Sequence, residues 1–385
     1  MPRTEHPRGA EECAAALRAC SDAGQTVRVR GGGTKDGLAA RHPTDVVVET
    51  AGLGGILDHV PEDLTVTVGA GMRLDALRAA LAAHGQLLPL DPPHVARGAT
   101  VGGVIAANSS GFARYRYGGV RDLLLGIRVA LPDGSVARAG GRVVKNVAGY
   151  DLNKLYTGSL GTLGVITEAT FKILPIPPVT AATSATFARG SEAFAAAHAL
   201  VRTSLRPIAL VVESTVERRW RLVVAAAGEQ APVDRAIAET ARAAAARGGA
   251  IEPVGDLATT LDRLREVVDR AEDGGVIRVT LPLAAQPAFA DAAAHADRTA
   301  MIVADAATGT MYVHLRGDDA TVRSNADALL ANARVLGGSG RVERAVPGLA
   351  MTDAPDPAGA FLMRRLKQAF DPRGILEPAR TAFGR

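Results

Sequence analysis

Four glycine-rich runs in the first 170 residues limit what the amino-terminal part of this chain can fold into. They are RVRGGGTKDG at 28–37, GAG at 69–71, ATVGGVIAANSSG at 99–111 and GSLGTLGVIT at 158–167. Three of them adjoin short, β-branched stretches that are typical of strands. Because glycine adopts positive φ and permits close backbone approach, such runs suit loops whose N–H groups converge on one anion.

The first run places three consecutive glycines after a predicted strand, a geometry that suits a pyrophosphate. It is not a Walker loop, because no Gly-Lys-Ser/Thr closes it, and no G-x-G-x-x-G opens a helix as in the Rossmann fingerprint. Taken alone, each run is equally well explained by a tight structural turn. Four runs together favour a ligand, since charge-assisted backbone bonds of about 1.5 to 3 kcal/mol each would hold an extended dinucleotide.

The order of the motifs resembles the FAD-binding domain of the vanillyl-alcohol oxidase type, also called the PCMH type. The motifs are RGGGT, GAG, ATVGGxIAxNSSG, YGGVRDLLLGIRVALPDG at 117–134 and KNVAGYDLNKLYTGSLGTLGVITEATF at 145–171. Within that family the chain looks most like the FAD-binding E subunits of bacterial glycolate oxidases. The resemblance covers nearly all of residues 1–175 and resumes at LKQAFDPRGILEPAR, residues 366–380.

The resemblance implies that FAD lies along the glycine runs, and it assigns residues to three parts of the cofactor. The pyrophosphate is surrounded by Arg30, Gly31, Gly32, Gly33, Thr34 and Lys35. The phosphates and the ribityl chain are contacted by Thr100, Val101, Gly102 and Gly103, with Asn108 and Ser109 as polar partners. The adenine side is held by Gly161, Thr162, Gly164, Val165 and Ile166. For Val165 and Ile166 the alternative is a core strand position, which does not exclude backbone bonds to a ligand.

Three features of the resemblance refine this site. Residues 30–37 contain no histidine or cysteine, where relatives carry a covalent flavin link, so the FAD is expected to be non-covalent. Leu160 stands where the family commonly has Glu in GSEGTLG, and EPAR at 377–380 stands where NPGR is usual. A side chain at Gly32 is expected to abolish FAD retention by occupying the ligand's approach.

Short strands and helices mix in residues 1–175 without regular βαβ spacing, which predicts an α+β fold rather than a doubly wound sheet. The proline-rich ILPIPPV at 173–179 marks a domain border. We therefore predict a two-subdomain PCMH-type FAD-binding domain at 1–175 and a smaller α/β, ferredoxin-like cap at 180–345. A C-terminal segment at 359–385 is expected to return to the first domain. No internal repeat is evident in the sequence.

Composition limits the kinds of partner that this chain is expected to bind. With 385 residues, 47% apolar and 22% charged, the chain is expected to be folded and globular. The net charge of +4 is too small and too scattered for a nucleic-acid groove. No apolar run reaches the about 18 to 20 residues of a transmembrane segment, which predicts a cytoplasmic protein. Cys13 and Cys20 are expected to be buried apolar side chains, and no metal site is expected.

A flavin accepts a hydride from the α-carbon of a 2-hydroxy acid when a base removes the hydroxyl proton and a cation holds the carboxylate. Catalytic D-type relatives carry GHxGDGN in the cap, and the nearest stretch in this chain is GTMYVHLRG at 309–317. His314 and Arg316 would share one face of a strand there and act as base and clamp. The alternative is an ordinary cap strand with a satisfied histidine, so the catalytic residues are left unassigned.

The resemblance implies the FAD-binding subunit of a glycolate oxidase complex, which oxidises glycolate or a similar 2-hydroxy acid and passes electrons to a partner. The expected partners are a catalytic flavoprotein subunit and an iron–sulfur subunit, with membrane association through those partners. One alternative is a non-catalytic FAD-binding subunit that relays electrons or acts as a scaffold. Another is a stand-alone FAD-dependent oxidoreductase that uses another substrate or NAD(P)H.

Overall fold

The structure, a computed structural model, describes residues 2–36, 43–141, 151–269, 274–344 and 357–377. Gly37, the KNVAGY stretch at 145–150 and the PAR of the C-terminal motif at 378–380 lie outside these residues. The described residues form two units. The first comprises Met1–Ser110, Gly118–Ile176 and Ala354–Arg385, and the second comprises Gly111–Tyr117 and Pro177–Asp353.

The first unit contains two main sheets. Strands β1 (Arg3–Glu5), β2 (Val27–Arg30) and β3 (Val46–Glu49) form a parallel sheet of order β1-β3-β2, next to helix α1 (Ala10–Asp22). The second sheet is antiparallel, of order β4-β5-β9-β7-β8, with strands Ile56–Val60, Thr65–Gly69, Val165–Lys172, Leu124–Ala130 and Val136–Gly140 in that order. A two-stranded pair joins β6 (Gln86–Leu87) to β10 (Leu174–Pro175). Short helices fill the connections: α2 (Leu74–Ala82), α3 (Val101–Ala106), α5 (Val120–Leu123) and α6 (Leu152–Tyr156). Helix α4 (Arg114–Tyr117) belongs to the second unit.

Cys13 and Cys20 lie in the core between α1 and the parallel sheet, where neither side chain is exposed. The Cys13 thiol is a poor nucleophile, because burial raises its pKa to about 12. Both cysteines are free, and they pack against Leu17, Val27 and Val46 as small apolar side chains.

The second unit is built from two βαββαβ repeats. The first repeat contains β11 (Val179–Phe187), α7 (Gly190–Val201), β12 (Ala209–Ser214), β13 (Trp220–Gly228), α8 (Gln230–Ala245) and β14 (Ala250–Glu252). After helix α9 (Leu257–Arg265), the second contains β15 (Gly274–Thr280), α10 (Gln286–Ala296), β16 (Met301–Asp305), β17 (Thr310–Arg316), α11 (Asp319–Val335) and β18 (Ser339–Arg344). The strand order β14-β11-β13-β12-β16-β17-β15-β18 joins the repeats through antiparallel pairing of β12 with β16. The cap therefore consists of two ferredoxin-like repeats in one sheet.

The expectation of no internal repeat is wrong, and a weak sequence signal for the repeat exists. Gly228 is the last residue of β13 and Gly317 directly follows β17, at φ +141° and +130°, and a buried valine follows each glycine five residues later. A Gly-Gly pair begins 20 residues after each of these glycines, at 248–249 and 337–338. The remaining positions differ because alanine, leucine and valine fill equivalent core sites interchangeably.

The last described helix, α12 (Pro357–Phe370), packs within the first unit. The Phe370 ring meets the Tyr156 ring edge-on, with centroids 5.9 Å apart. After the helix, Leu376 forms a parallel β-bridge with Val27, so this segment pairs with the free edge of β2.

Candidate functional site

Three of the four glycine runs line one cavity of about 680 Å³ in the first unit, part of which is continuous with solvent. The predicted site residues that line it are Arg30, Gly31, Gly32, Gly33, Thr34, Lys35, Thr100, Gly102, Gly103, Gly161, Gly164 and Ile166. The lining also includes Leu160, which the sequence marked as a departure from GSEGTLG. The lining residues that the sequence did not single out are Val29, Asp36, Thr50, Ala106 and Ala107.

Five predicted site residues do not line the cavity, and the structure gives three of their side chains other roles. Val165 is fully buried in the α1 core, and Val101 packs beneath the antiparallel sheet at 1% exposure. The Thr162 hydroxyl donates to the carbonyl oxygen of Ser159 at 2.7 Å, which shapes its own turn. Asn108, at φ +47°, and Ser109 lie in the turn that follows α3.

The first glycine run is fixed by close approach to residues 98–100. A Cβ on Gly32 would overlap the carbonyl oxygen of Gly98, and a Cβ on Gly31 would overlap the Thr100 hydroxyl. A side chain at Gly32 would therefore clash with the neighbouring backbone and would not block the ligand. The expectation that it occupies the ligand's approach is corrected by this contact. Gly33 takes φ +68°, which L-residues rarely adopt.

The GAG run supports the cavity from behind instead of lining it. Cβ atoms on Gly69 and Gly71 would overlap the carbonyl oxygens of Leu53 and Thr50, and Thr50 lines the cavity. Ala70 accepts a hydrogen bond from Gly102 N at 2.7 Å. The small residues of this run thus let the turn at 50–53 and the start of α3 come together.

The fourth run turns sharply beside the cavity at Leu160 and Gly161, whose φ values are +54° and +77°. Leu160 N donates to Ala106 O at 2.9 Å, which ties this turn to the end of α3. The leucine side chain contributes an apolar wall where relatives commonly have a carboxylate. Between Gly158 and Leu160, the Ser159 hydroxyl is buried and makes no protein hydrogen bond.

The C-terminal Glu377 reaches the rear of the same cavity. Its backbone has φ +42°, and its Oε1 accepts a hydrogen bond from Val29 N at 2.7 Å. Both Val29 and Gly161 line the cavity, and a Cβ on Gly161 would lie 3.6 Å from Glu377 Cγ. The sequence had marked this residue, because Glu377 stands where the family usually has the asparagine of NPGR.

The composition of the lining fits FAD. Arg30 and Lys35 provide two cations near the glycines of the first run, and Arg30 is balanced by Asp36 at 3.5 Å and Glu49 at 3.4 Å. Ile166, Leu160 and Ala106 provide apolar contacts for ring surfaces. The lining formed by described residues contains no histidine or cysteine for a covalent flavin link. The buried Ser159 hydroxyl is one polar atom beside the lining that protein groups leave unsatisfied.

His314 and Arg316 on β17 do not form the clamp considered from the sequence. His314 is 1% exposed, whereas Arg316 is exposed, with its guanidinium 3.7 Å from Met301 Sδ. His94, at φ +69°, accepts backbone hydrogen bonds from Arg97 and Ala99 and so belongs to a turn. Across the described ranges, no three His, Cys, Asp or Glu side chains gather as metal ligands, and no helix could cross a membrane.

Comparison with known proteins finds similarity mainly in the amino-terminal segment. Residues 4–140 match a family model described as FAD binding domain. Over 109 residues the chain is 45% identical to glycolate oxidase subunit GlcE of Escherichia coli (strain K12), covering 28% of this chain and 31% of that protein. Over 160 residues it is 38% identical to subunit GlcD of Bacillus subtilis (strain 168), covering 41% and 33%. The matches thus span about a third of the length of these two relatives.

A solved structure of p-cresol methylhydroxylase with substrate bound has a TM-score of 0.77 to this chain at 18% identity, covering 99% of this chain and 88% of that one. At this identity the similarity shows the fold, and it confirms the predicted α+β class. The family match confirms FAD as the expected cofactor.

Proposed function

We propose, from the FAD-binding domain at residues 4–140, that this chain is the FAD-binding subunit of an oxidoreductase that converts glycolate or a similar 2-hydroxy acid to the 2-oxo acid. The observation that carries the proposal is the cavity shared by three glycine runs in the first unit. The similarity to a protein named glycolate oxidase subunit GlcE supports the choice of substrate.

In this proposal the cofactor is held without a covalent bond. Backbone N–H groups of Gly31, Gly32 and Gly33 would hold the pyrophosphate, with the Arg30 and Lys35 cations to balance its charge. Thr100, Gly102 and Gly103 would contact the phosphates and the ribityl chain, and Gly161, Gly164 and Ile166 would bound the adenine side. Bound FAD supplies a two-electron acceptor for the hydride that leaves the substrate α-carbon.

Electrons leave this chain through partners. Its two cysteines, both buried in α1, fall short of the four thiolates that an iron–sulfur cluster requires. A catalytic flavoprotein subunit and an iron–sulfur subunit would complete the path, in a cytoplasmic complex that meets the membrane through those partners. The relatives named as glycolate oxidase subunits support such an assembly.

A second candidate is a subunit whose FAD relays electrons or stabilises the complex without oxidising substrate. The arrangement of β17 favours it, because His314 is buried while Arg316 is exposed, so the strand presents no base with an adjacent clamp.

Anaerobic addition of glycolate to the purified chain tests the first candidate. Loss of the visible flavin absorption band without any partner is the expected result. Bleaching that appears only after partner subunits are added supports the second candidate instead. Bleaching by NAD(P)H but not by glycolate contradicts both.

A further inference from the structure

Three polar side chains form a row on one face of the sheet in the second repeat. Arg278 on β15 pairs in register with Tyr312 on β17 and with Arg341 on β18. Side chains alternate along a strand, and the neighbours Ile277, Val279, Met311, Val313 and Val342 all belong to the helix-side core. The row therefore lies on the opposite face, where α9 and residues 266–269 cover the apolar part around Val276 and Val303.

Arg278 carries a charge that the described protein does not neutralise. Its Nε is buried and has no hydrogen-bond partner. Its guanidinium carbon lies 6.0 Å from the centre of the Tyr312 ring, and no carboxylate among the described residues pairs with it. Burying an arginine nitrogen without an acceptor is unfavourable, so this arrangement suits a site that receives an anion.

The two neighbours of Arg278 determine which kind of anion would fit beside it. Arg341 is already paired with Glu343, at 2.8 Å, which leaves Arg278 as the cation of the row that has no carboxylate partner. Burial raises the pKa of Tyr312, which keeps its phenol protonated and able to donate. Strands lie about 4.8 Å apart, so Tyr312 and Arg341 each begin one strand spacing from Arg278, on opposite sides of it.

We propose that Arg278, with Tyr312 and Arg341 beside it, binds the carboxylate of a small organic acid. A guanidinium donates two parallel hydrogen bonds to a carboxylate, and the phenol adds a third donor. One unpaired guanidinium matches the charge of a monocarboxylate better than that of a phosphate dianion. The choice of a 2-hydroxy acid as that monocarboxylate rests on the proposed function, whereas the site itself rests on the cap alone.

Calorimetric titration of the purified, FAD-loaded chain with glycolate, and separately with inorganic phosphate, tests the site. We expect Arg278→Met to raise the Kd for glycolate at least tenfold, and Arg278→Lys to raise it less, because lysine keeps the charge but loses the planar fork. Tyr312→Phe should raise it a few-fold. The matched control is Arg202→Met, which removes an exposed arginine at the end of α7 and should leave the Kd unchanged.

Thermal melting separates binding from a structural role. Arg278→Met should leave the melting temperature unchanged or raise it, because it removes a buried Nε that has no hydrogen-bond acceptor. A clear fall in melting temperature with an unchanged glycolate Kd would overturn the site. The site also fails if the wild-type chain does not bind glycolate, or if phosphate binds in its place with the same dependence on Arg278.

The test also distinguishes this site from the proposed function. Arg278-dependent glycolate binding without flavin bleaching would support the site and contradict glycolate oxidation by this chain. Flavin bleaching with the same glycolate dependence in wild type and Arg278→Met would support the proposed function and contradict the site.

Discussion

Lys367 in α12 donates a hydrogen bond to the carbonyl oxygen of Thr162, 205 residues earlier in the chain, at 2.8 Å. The same ammonium donates to Asp371 Oδ2 at 2.6 Å and to Leu376 O at 2.8 Å. One buried cation thus joins the last described helix, the strand-like tail and the turn of the fourth glycine run.

Replacing Lys367 by methionine should weaken both folding and cofactor retention. The change keeps the length of the side chain but leaves the fully buried Asp371 carboxylate without its cation, a loss of about 3 to 5 kcal/mol for a broken buried pair. Urea unfolding and FAD content after gel filtration measure the two effects. Lys172→Met, at the exposed end of β9, is the control, and an equal loss there would contradict the role of Lys367.

Gly161→Ala should weaken FAD binding, whereas Gly24→Ala should not. Both glycines have positive φ, +77° and +63°, and an added Cβ would meet no atom closer than 3.6 Å at either site. Both changes should therefore cost a similar backbone strain of about 1 to 2 kcal/mol. Gly161 lines the cavity and Gly24 does not. Equal FAD affinities in the two variants, measured by equilibrium dialysis, would contradict the cavity assignment.

Gly32→Val should lose FAD and stability together. Because the new Cβ would overlap the carbonyl oxygen of Gly98, residues 31–33 must move away from residues 98–100. A melting temperature equal to that of wild type, combined with lost FAD, would mean that the side chain blocks the ligand directly, contrary to the structure.

Glu377→Ala should lower the free energy of unfolding by about 1 to 3 kcal/mol, because it leaves the N–H of Val29 without its acceptor. Glu377→Gln keeps an acceptor oxygen and should cost less. Chemical denaturation checks both variants, and equal losses in the two would indicate that the negative charge, rather than the hydrogen bond, is required.

Neither cysteine should react with a thiol reagent at pH 8 in the native protein. Burial raises the pKa of Cys13 to about 12 and also raises the pKa of Cys20, so thiolate is scarce and sheltered. In denaturant both thiols should react. A rapid reaction of one thiol in the native state would contradict the packing of α1.

Glycine order was the informative part of the sequence. It identified the loops that meet at the cavity, because only glycine tolerates the approach seen at Gly31 and Gly32. The glycine pattern did not distinguish loops that line a ligand site from the GAG run, which packs behind the site. Both kinds of loop need residues without a side chain. The α+β class followed from the mixture of short strands and helices.

Tertiary packing determines the features that could not be predicted from the sequence. Val101 and Val165 were read with their glycine neighbours, yet their side chains fill two cores, which only the three-dimensional arrangement reveals. The two cap repeats share glycines at turns but few other residues, so their common strand order is invisible until the strands pair. Arg278 drew no attention because its lack of a partner is a property of the folded sheet.

The most direct test of the account is the flavin content of the purified chain after incubation with FAD and gel filtration. We predict about one FAD per chain, released intact by acid precipitation because no covalent bond holds it. Protein that is folded by circular dichroism yet retains no FAD would contradict the assignment of the glycine-lined cavity.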